Sequence, residues 1–354
     1  MPETMSAAVY HGAGDIRIER VPVPAPADDE VLVKVLRSGV CGTDAGEWTR
    51  GPRVFPVAHR HPNSGHLGPL IPGHEFVGEV VESASSDFPV GTLVASGAGI
   101  WCGDCARCRE GRTNLCATYQ TLGLNRHGAL AEYVAVAKKT LHVVPDGVSV
   151  DIAAIAQPLA VGIHAARRSG ARAGERIVII GAGAIGSFIL AGLNHLGDHD
   201  ITVVDFPGRR LDRALTLGAA RTRTPSSSPA AAICDALDGH APSVVIEASG
   251  APGQLAAALQ TVDDGGRVLA VGIPKTDVTI DLHSAVFREI TIETTLAHIC
   301  DVDIPAALEI IEASPSVWAE FVEPPVALRE LGSALDRLAS GGVDGKILID
   351  PQRE

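Results

Sequence analysis

The chain has 354 residues, 42 acidic and 29 basic, which gives a formal net charge of −13, and 46% of its residues are hydrophobic. This length favours two domains or one large one, and the acidic balance argues against nucleic-acid binding because it repels phosphate backbones. The longest apolar run, 177–193, is shorter than a bilayer span and is broken by glycines, so no membrane contact is expected. Residues 1–14 lack a basic head followed by an apolar stretch. We therefore expect no secretory signal and a cytoplasmic location.

The first 150 residues contain short candidate strands separated by segments rich in glycine and proline. These strands are predicted at 7–10, 16–21, 31–36, 76–82 and 92–95. Short strands between turn signals are typical of an all-β, barrel-like domain.

From about residue 176 the pattern alternates strand and helix. A continuous apolar strand at 176–180 precedes a helix with one apolar face, formed by Ile185, Phe188, Ile189, Leu193 and Leu196. Further elements follow in alternation: strands at 201–204, 244–247 and 267–271, with helices near 210–217 and from 252. This order predicts a doubly wound parallel sheet. The tail adds a helix at 304–312 and a strand at 346–349, and the polar segment 222–229 is predicted to be a surface loop.

A glycine-rich turn joins the strand at 176–180 to the following helix. Gly181, Gly183 and Gly186 match G-x-G-x-x-G, and Asp205 ends the next strand about 20 residues later. Gly181 permits the tight turn, Gly183 allows a pyrophosphate to approach the backbone, and Gly186 permits close helix–strand packing. Asp205 would bind the ribose hydroxyls and disfavour NADP, while the nearby Arg209 and Arg210 could weaken that preference. A methyltransferase turn is an alternative, but it leaves the metal motifs unexplained.

Four of the seven cysteines form one compact motif. Cys102, Cys105, Cys108 and Cys116 follow the spacing C-x2-C-x2-C-x7-C. Four thiolates in one loop can close tetrahedrally on zinc, and a site filled by four protein ligands is structural. A ferredoxin-type cluster has a shorter last gap followed by proline, whereas Ala117 follows here. Cys234 and Cys300 receive no role.

The order of motifs resembles the zinc-dependent medium-chain alcohol and polyol dehydrogenases, and the resemblance covers essentially the whole chain. The motifs are Gly39-Val-Cys41-Gly-Thr-Asp44, then Pro72-Gly-His74-Glu75, then the four-cysteine segment and the glycine turn. The 33-residue spacing from Cys41 to His74, the insert 51–70 and the segment 295–307 are similar to butanediol dehydrogenases.

The resemblance implies a second, catalytic zinc bound by Cys41 and His74, with Glu75 binding it or lying just behind it. Asp44 would hydrogen-bond the far nitrogen of His74, and Thr43 would be the hydroxyl that handles the substrate proton. The resemblance also assigns residues to the coenzyme: Ala184 and Ile185 lie in the glycine turn, and the nicotinamide would be lined by Ser249, Val271, Ile273 and Thr295.

Two departures from the family pattern concern the catalytic zinc. Gln157 stands where polyol dehydrogenases commonly have glutamate. Either its amide oxygen binds the metal, or a water or Glu75 fills that position. Gly46 stands where a relay histidine is usual, five residues after the ligand cysteine. The proton must then leave through the ribose hydroxyl or a nearby group, for which His59, His61 and His66 of the insert are candidates.

The predicted fold is α/β. An irregular GroES-like β-barrel catalytic domain (1–155 and 295–354, with the structural zinc lobe at 99–117) is combined with a Rossmann domain (156–294). The expected activity is NAD-dependent oxidation of a secondary alcohol, vicinal diol or polyol, with two zinc ions per chain and a homodimer or homotetramer. The alternatives are a dinucleotide-binding protein of this fold with lost or specialised catalysis, and a zinc-free quinone or enone reductase. Residues that could line the substrate pocket, although each also suits a packing role, are Trp48, Phe55, Leu122 and His298.

Overall fold

The structure is a computed structural model that describes residues 2–225 and 239–353. The chain divides into two compact units, 1–157 with 299–354, and 158–298. Cys234 and residues 226–229 of the segment 222–229 lie outside the described residues. No helix in the described part is long and apolar enough to cross a bilayer.

The first unit is built mainly from short antiparallel strands. They are β1 (Thr4–Gly12), β2 (Asp15–Pro22), β3 (Glu30–Gly39), β4 (Glu75–Glu82), β5 (Leu93–Ser96), β6 (Gly99–Ile100), β7 (Gln120–Thr121), β8 (Tyr133–Ala137) and β9 (Leu141–Val143), with β16 (Val326–Ala327) and β17 (Leu348–Asp350) from the chain's end. The largest sheet has the order β16-β17-β3-β4-β5-β9, and β8 also pairs with β3. The final strand of the chain therefore pairs with the strand that leads to Cys41.

The core of the first unit follows the two-residue period of its strands. Val31, Val33 and Val35 of β3 alternate inward and pack with Phe76 and Val80 of β4. The helices of this unit are α1 (Gly42–Arg50), α2 (Ala106–Arg109), α3 (Val150–Ala153), the start of α4 (Ala156–Arg168), α9 (Cys300–Ala313), α10 (Pro315–Ala319) and α11 (Leu331–Ala339), with 3-10 turns at Thr113–Leu115, Lys138–Thr140 and Leu328–Glu330.

The described residues of the second unit form one parallel sheet of six strands. Their bounds are β10 (Arg176–Ile180), β11 (Asp200–Val204), β12 (Arg221–Arg223), β13 (Val244–Glu247), β14 (Arg267–Ala270) and β15 (Thr291–Thr294). The spatial order β12-β11-β10-β13-β14-β15 reverses direction between β10 and β13. Ligands of open α/β sheets bind at the carboxyl ends of the strands beside such a switch point.

Helices connect the strands of the second unit and bury its sheet. They are the main part of α4, α5 (Ala184–Leu196), α6 (Arg209–Thr216), α7 (Gln254–Thr261) and α8 (Leu282–Phe287). Strand β10 is buried on both faces: Ile177 and Ile179 lie in one apolar cluster, and Val178 and Ile180 in another. Burial on both faces explains why this strand is continuously apolar in sequence.

The fold class and the alternation of elements are confirmed, with local corrections. Leu196 is 43% exposed rather than buried with the apolar face of α5, because the helix ends there. Residues 221–223 form strand β12, although the segment from 222 onward was predicted to be a loop. The last strand begins at Leu348, so Lys346 lies before it.

Candidate metal and coenzyme sites

The four-cysteine lobe brings its sulfur atoms together in the first unit. The Sγ atoms of Cys105 and Cys108 are 3.5 Å apart, those of Cys102 and Cys116 are 3.5 Å apart, and those of Cys102 and Cys108 are 3.9 Å apart. Sulfur atoms bound tetrahedrally at about 2.3 Å from zinc lie about 3.8 Å from one another. The lobe therefore fits a tetrahedral metal, and its sulfurs are much too far apart for disulfide bonds.

Backbone amides of the lobe point at its sulfurs. The amide of Cys102 donates to Cys116 Sγ at 3.3 Å, and that of Cys105 donates to Cys102 Sγ at 3.4 Å. Donors from the backbone, led by the amide of Ala117, lower the pKa of Cys105 to about 6, whereas burial raises the pKa of Cys108 to about 12. Amides aimed at sulfur stabilise thiolates, the form that binds metal.

A second cluster forms where β3 leads into α1 and where β4 begins. Cys41 is the N-cap of α1, and His74 and Glu75 mark the start of β4. Because Gly39 pairs with Glu75 across β3 and β4, strand register brings these distant motifs together. One donor atom each from Cys41, His74 and Glu75 lie within 4.8 Å of one another. We call these three residues, together with Asp44 and Lys346, the Cys41 cluster.

His74 is surrounded by negative charge. Burial opposes its protonation, but Cys41, Asp44 and Glu75 outweigh that effect and raise its pKa to about 10. Burial is the largest influence on Asp44 and raises the pKa of its carboxyl. Both Nδ1 of His74 and Oδ1 of Asp44 are buried without a hydrogen-bond partner. A bound cation would replace the proton that this environment draws to the imidazole.

Asp44 and Thr43 lie in the first turn of α1, directly after Cys41. Oδ1 of Asp44 is 4.0 Å from Nδ1 of His74, longer than a hydrogen bond, so the structure does not form the hydrogen bond expected from the sequence. Its Oδ2 instead accepts from the amide of Cys41 at 2.9 Å, which fixes the first turn of α1. Thr43 Oγ1 is 3.9 Å from Cys41 Sγ, and both residues are half-buried. A molecule could therefore reach them from solvent.

Lys346 is the member of the cluster that sequence reasoning missed. Its ammonium pairs with Oε2 of Glu75, and the two side chains are only 11% and 2% exposed. A Cβ on Gly39 would lie 2.5 Å from that oxygen and 3.0 Å from Cε of Lys346, so glycine makes room for the pair. Burial opposes the charge of Lys346, but Glu75, Cys41 and Asp44 outweigh it and raise the lysine pKa. The acidic groups of Cys41, Asp44 and Glu75 outnumber the cations among the predicted site residues, and this imbalance is the feature that indicates a missing cation.

The charges of the cluster test its fit to zinc. Cys41 as thiolate, Asp44 and Glu75 supply three negative charges, and Lys346 supplies one positive charge. A divalent cation would neutralise the remaining two negative charges of the Cys41 cluster, and the sulfur of Cys41 and the imidazole of His74 are ligands that zinc prefers. The residues present therefore fit zinc.

The other residues expected near this zinc are Gln157 and the histidines of the insert. Gln157 is buried in the first turn of α4. His61 accepts from the amide of Ser64, and His66 bonds the carbonyls of Gly68 and Pro69, so both serve the insert itself. His59 is exposed. These contacts favour a role in the loop over a role in proton transfer.

The glycine turn of the second unit has the expected shape. Gly181 has a φ of +101°, and a Cβ on Gly186 would lie 1.8 Å from the carbonyl oxygen of Gly181, so neither position tolerates a side chain. Gly183 is the N-cap of α5. Among the described residues no side chain caps that helix, and no atom beyond the neighbouring residues lies within 4 Å of where a Cβ on Gly183 would be. This open helix N-terminus is a cradle that fits a phosphate.

Asp205 lies beside the same turn. Its Oδ2 accepts from the amide of Ala182 and its Oδ1 from the amide of Phe206, both at 2.7 Å. Each carboxylate oxygen can accept a further hydrogen bond. Arg210 is the second residue of α6 and lies close by in sequence.

The residues assigned to the nicotinamide border two neighbouring cavities of the second unit. Val271, Ile273 and Thr295 line one cavity of about 590 Å³, and Ser249 lines another of about 500 Å³. Ile273 is 87% exposed in this structure.

The candidate substrate-pocket residues of the first unit have packing roles. Trp48 donates its indole N–H to Asp336 of α11 at 2.7 Å. Phe55 is buried and packs edge-on against Tyr10, and Leu122 belongs to the barrel core. In the second unit, His298 is buried.

Comparison with known proteins places the chain in a family. Residues 27–146 match the alcohol dehydrogenase GroES-like domain family, and residues 184–313 match the zinc-binding dehydrogenase family. The chain is 36% identical over 278 residues to sorbitol dehydrogenase of Bacillus subtilis, covering 77% of this chain and 76% of that one. It is 33% identical over 279 residues to L-threonine 3-dehydrogenase of Edwardsiella ictaluri, covering 77% and 78%.

A solved structure extends the similarity over nearly the full length. The 2R,3R-butanediol dehydrogenase of Bacillus subtilis superimposes with a TM-score of 0.88 at 29% identity, covering 98% of this chain and 99% of that one. The two family models, the relatives and this solved structure all indicate a zinc-dependent dehydrogenase. The chain therefore belongs to the zinc-dependent medium-chain alcohol and polyol dehydrogenases, and it is a dehydrogenase of that family.

Proposed function

We propose that this enzyme oxidises a secondary alcohol, vicinal diol or polyol to the ketone with NAD, using a catalytic zinc at the Cys41 cluster and a structural zinc in the four-cysteine lobe. The observation that carries the proposal is the convergence of Cys41, His74 and Glu75 donor atoms within 4.8 Å in a largely buried, anionic corner of the first unit. We assign the catalytic role to the barrel unit and coenzyme binding to the parallel-sheet unit. We keep the cytoplasmic location and the homodimer or homotetramer as predictions from sequence.

The chain's own residues would divide the work as follows. Cys41 and His74 would hold the metal, with either Glu75 or Gln157 as a further ligand, and Asp44 would keep α1 in place. When bound, zinc supplies Lewis acidity and the nicotinamide accepts hydride. Thr43 is half-buried beside Cys41 and would pass the hydroxyl proton of the substrate towards solvent.

NAD is proposed over NADP because of Asp205. Its carboxylate is held against the glycine turn by two backbone amides and keeps capacity for ribose hydroxyls. A 2′-phosphate at that place would meet this negative charge. The arginines at the start of α6 already have interactions of their own.

The alternative of a dinucleotide-binding protein without catalysis finds no support in residues 2–225 and 239–353. Cys41, Thr43, Asp44 and His74 are assembled together there. A zinc-free reductase would not need the four sulfurs that converge in the lobe.

The test combines metal content with turnover of the purified enzyme. We expect near two zinc ions per chain, and NADH formation at 340 nm from NAD with one member of a panel. The panel pairs each butanediol stereoisomer and several polyols with simple primary and secondary alcohols. Near one zinc per chain, with no turnover of any alcohol by protein that still binds NADH, would contradict the proposal. If no alcohol of the panel is oxidised, the metal content separates two explanations. An enzyme with a specialised substrate retains two zinc ions per chain, whereas a protein that has lost its catalytic site retains only the zinc of the lobe.

A further inference from the structure

Glu247 is a buried carboxylate at the carboxyl end of β13, only 3% exposed. It pairs in register with Ile180, which precedes the glycine turn, and with Ala270 at the end of β14. It therefore lies at the edge of the sheet where open α/β folds bind their ligands. Nothing in the mechanism above uses it.

The side chain of Glu247 organises the loop that follows β13. Its Oε1 accepts from the amide and the hydroxyl of Ser249, at 2.8 and 2.5 Å, and from the amide of Gly250 at 3.0 Å. Ser249 Oγ itself accepts from the amide of Ala251, so its hydrogen is available for Glu247. The groups of Ser249 and Gly250 that contact the carboxylate all donate to it, which is the pattern expected for an ionised, acceptor-only carboxylate.

The main chain of Glu247 holds the loop that follows β14. Its carbonyl accepts from the amides of Val271 and Gly272 at 2.8 and 3.0 Å. A Cβ on Gly272 would lie 2.0 Å from the nitrogen of Gly250 and 2.8 Å from Oε2 of Glu247. The two loops therefore touch, and one residue ties both of them to the sheet.

The charge of Glu247 has no ion-pair partner in the described part of the second unit, where the acidic ion-pair partners are Glu175, Asp200, Asp264 and Glu293. Glu247 lines the 590 Å³ cavity together with Val271, Ile273 and Thr295, three of the four residues assigned to the nicotinamide. Lys275 and Asp277 also line it, but both are exposed and opposite in sign. Solvent screens those two charges far more than it screens Glu247.

We propose that Glu247 is a positioning residue whose buried charge also raises the affinity of the coenzyme site for the oxidised nicotinamide relative to the reduced one. The nicotinamide ring carries a positive charge in NAD and none in NADH. A buried carboxylate at the cavity wall attracts the former and is indifferent to the latter. This inference rests on the proposed function, because it requires the second unit to bind a nicotinamide dinucleotide.

The test measures the Kd of NAD and of NADH for the zinc-loaded enzyme by calorimetry and by NADH fluorescence. In Glu247→Gln, which keeps shape and an acceptor oxygen, we expect NAD binding to weaken about tenfold while NADH binding changes less than twofold, because only the charged ring loses an attraction. Asp198→Asn is the matched control. It also turns a carboxylate of the second unit into an amide, but Asp198 is exposed and precedes β11, at the edge of the sheet opposite the cavity, so it should leave the NAD/NADH affinity ratio unchanged.

Glu247→Asp keeps the charge while shortening the reach to Ser249 and Gly250, and it keeps the proposal testable if the glutamine variant does not fold. It should weaken both coenzymes alike and preserve the wild-type ratio. An unchanged ratio in Glu247→Gln, or a shifted ratio in Glu247→Asp, would overturn the inference. Wild-type protein that binds neither coenzyme would instead contradict the proposed function, so the two failures are distinguishable.

Discussion

The four-cysteine lobe and the Cys41 cluster both gather metal-binding side chains in the first unit, but they do so by different means. In the lobe, all four ligands come from one segment of fifteen residues, and nearby backbone amides point at the sulfurs. In the Cys41 cluster, side chains from the start of α1, from β4 and from the segment before β17 meet through the pairing of strands. The spacing of the cysteines within one segment determines the geometry of the lobe, whereas the pairing of barrel strands determines the geometry of the Cys41 cluster.

This difference predicts that the two metal sites have different roles, one in the stability of the fold and the other in catalysis. The barrel core does not depend on the Cys41 cluster for its packing, because Val31, Val33, Phe76 and Val80 form it. The lobe contains only the two-residue strand β6, the short helix α2 and the 3-10 turn at Thr113–Leu115, so it has little apolar core of its own. We therefore expect metal to support folding in the lobe and reactivity in the cluster.

The sharpest test of this separation is Cys41→Ser. Loss of the thiolate should remove one zinc per chain and lower kcat/KM by about 10³-fold or more, since metal-assisted catalysis contributes several kcal/mol to the barrier. The free energy of unfolding should change little. Cys300→Ser, a buried cysteine beside His142 and outside both clusters, is the control and should keep both zinc ions. Full activity with full zinc content in Cys41→Ser would refute the assignment.

Cys105→Ser should show the reverse pattern. Removing one of four structural ligands should eject the lobe zinc and lower the free energy of unfolding by about 4 kcal/mol, because metal binding is folding energy in a segment without a core. Denaturant unfolding with zinc analysis measures this loss. Activity per folded, zinc-containing molecule should stay within a few-fold of wild type. A variant of unchanged stability would show that the lobe folds without metal.

Lys346→Met probes the charge balance that distinguishes the cluster from the lobe. It leaves Glu75 buried at 2% exposure without its cation, and breaking such a pair costs about 3 kcal/mol. The double variant Lys346→Met with Glu75→Gln should recover most of that loss, because no unpaired charge remains. Chemical unfolding of the zinc-loaded proteins measures both. If the double variant is as unstable as the single one, the lysine stabilises the barrel by packing rather than by charge.

A site formed by one segment can be predicted from sequence more fully than a site formed by distant segments. The zinc lobe (Cys102–Cys116) and the glycine turn (Gly181–Gly186) are contiguous motifs, so the spacing of their residues is enough to predict their geometry. Lys346 was invisible because its significance depends on β17 pairing beside β3, a contact between residues far apart in sequence. Glu247 was overlooked for a related reason. A glutamate at the end of a strand has no distinctive sequence pattern, and its role becomes apparent only from the hydrogen bonds that Ser249 and Gly250 donate to its side chain.

A comparable contrast within the second unit concerns Asp205, whose role depends on one charge rather than on packing. Asp205→Asn keeps the shape of the side chain and an acceptor oxygen for one of the two amides, of Ala182 or Phe206, but it removes the negative charge. We expect the ratio of kcat/KM for NAD over NADP to fall about tenfold, through better use of NADP. Steady-state kinetics with both coenzymes measures this ratio. An unchanged ratio would mean that other residues, such as Arg210, set coenzyme choice.

The smallest expected effect comes from restoring an imidazole near the proton route of the Cys41 cluster. Gly46 lies three residues after Thr43 on α1, hence on the same face, and no atom lies within 4 Å of where its Cβ would be. Gly46→His should therefore fold, and kcat should rise by a few-fold at most, since a relay is added to a working route. Only the neutral imidazole accepts a proton, so this gain should appear as pH rises through about 6.5 and be absent below it. Gly46→Ala also removes the glycine from the helix and adds no imidazole, and its pH profile should match wild type. A gain shared equally by the alanine variant would assign the effect to helix stability, and the proton would then leave by a path that Gly46 does not border.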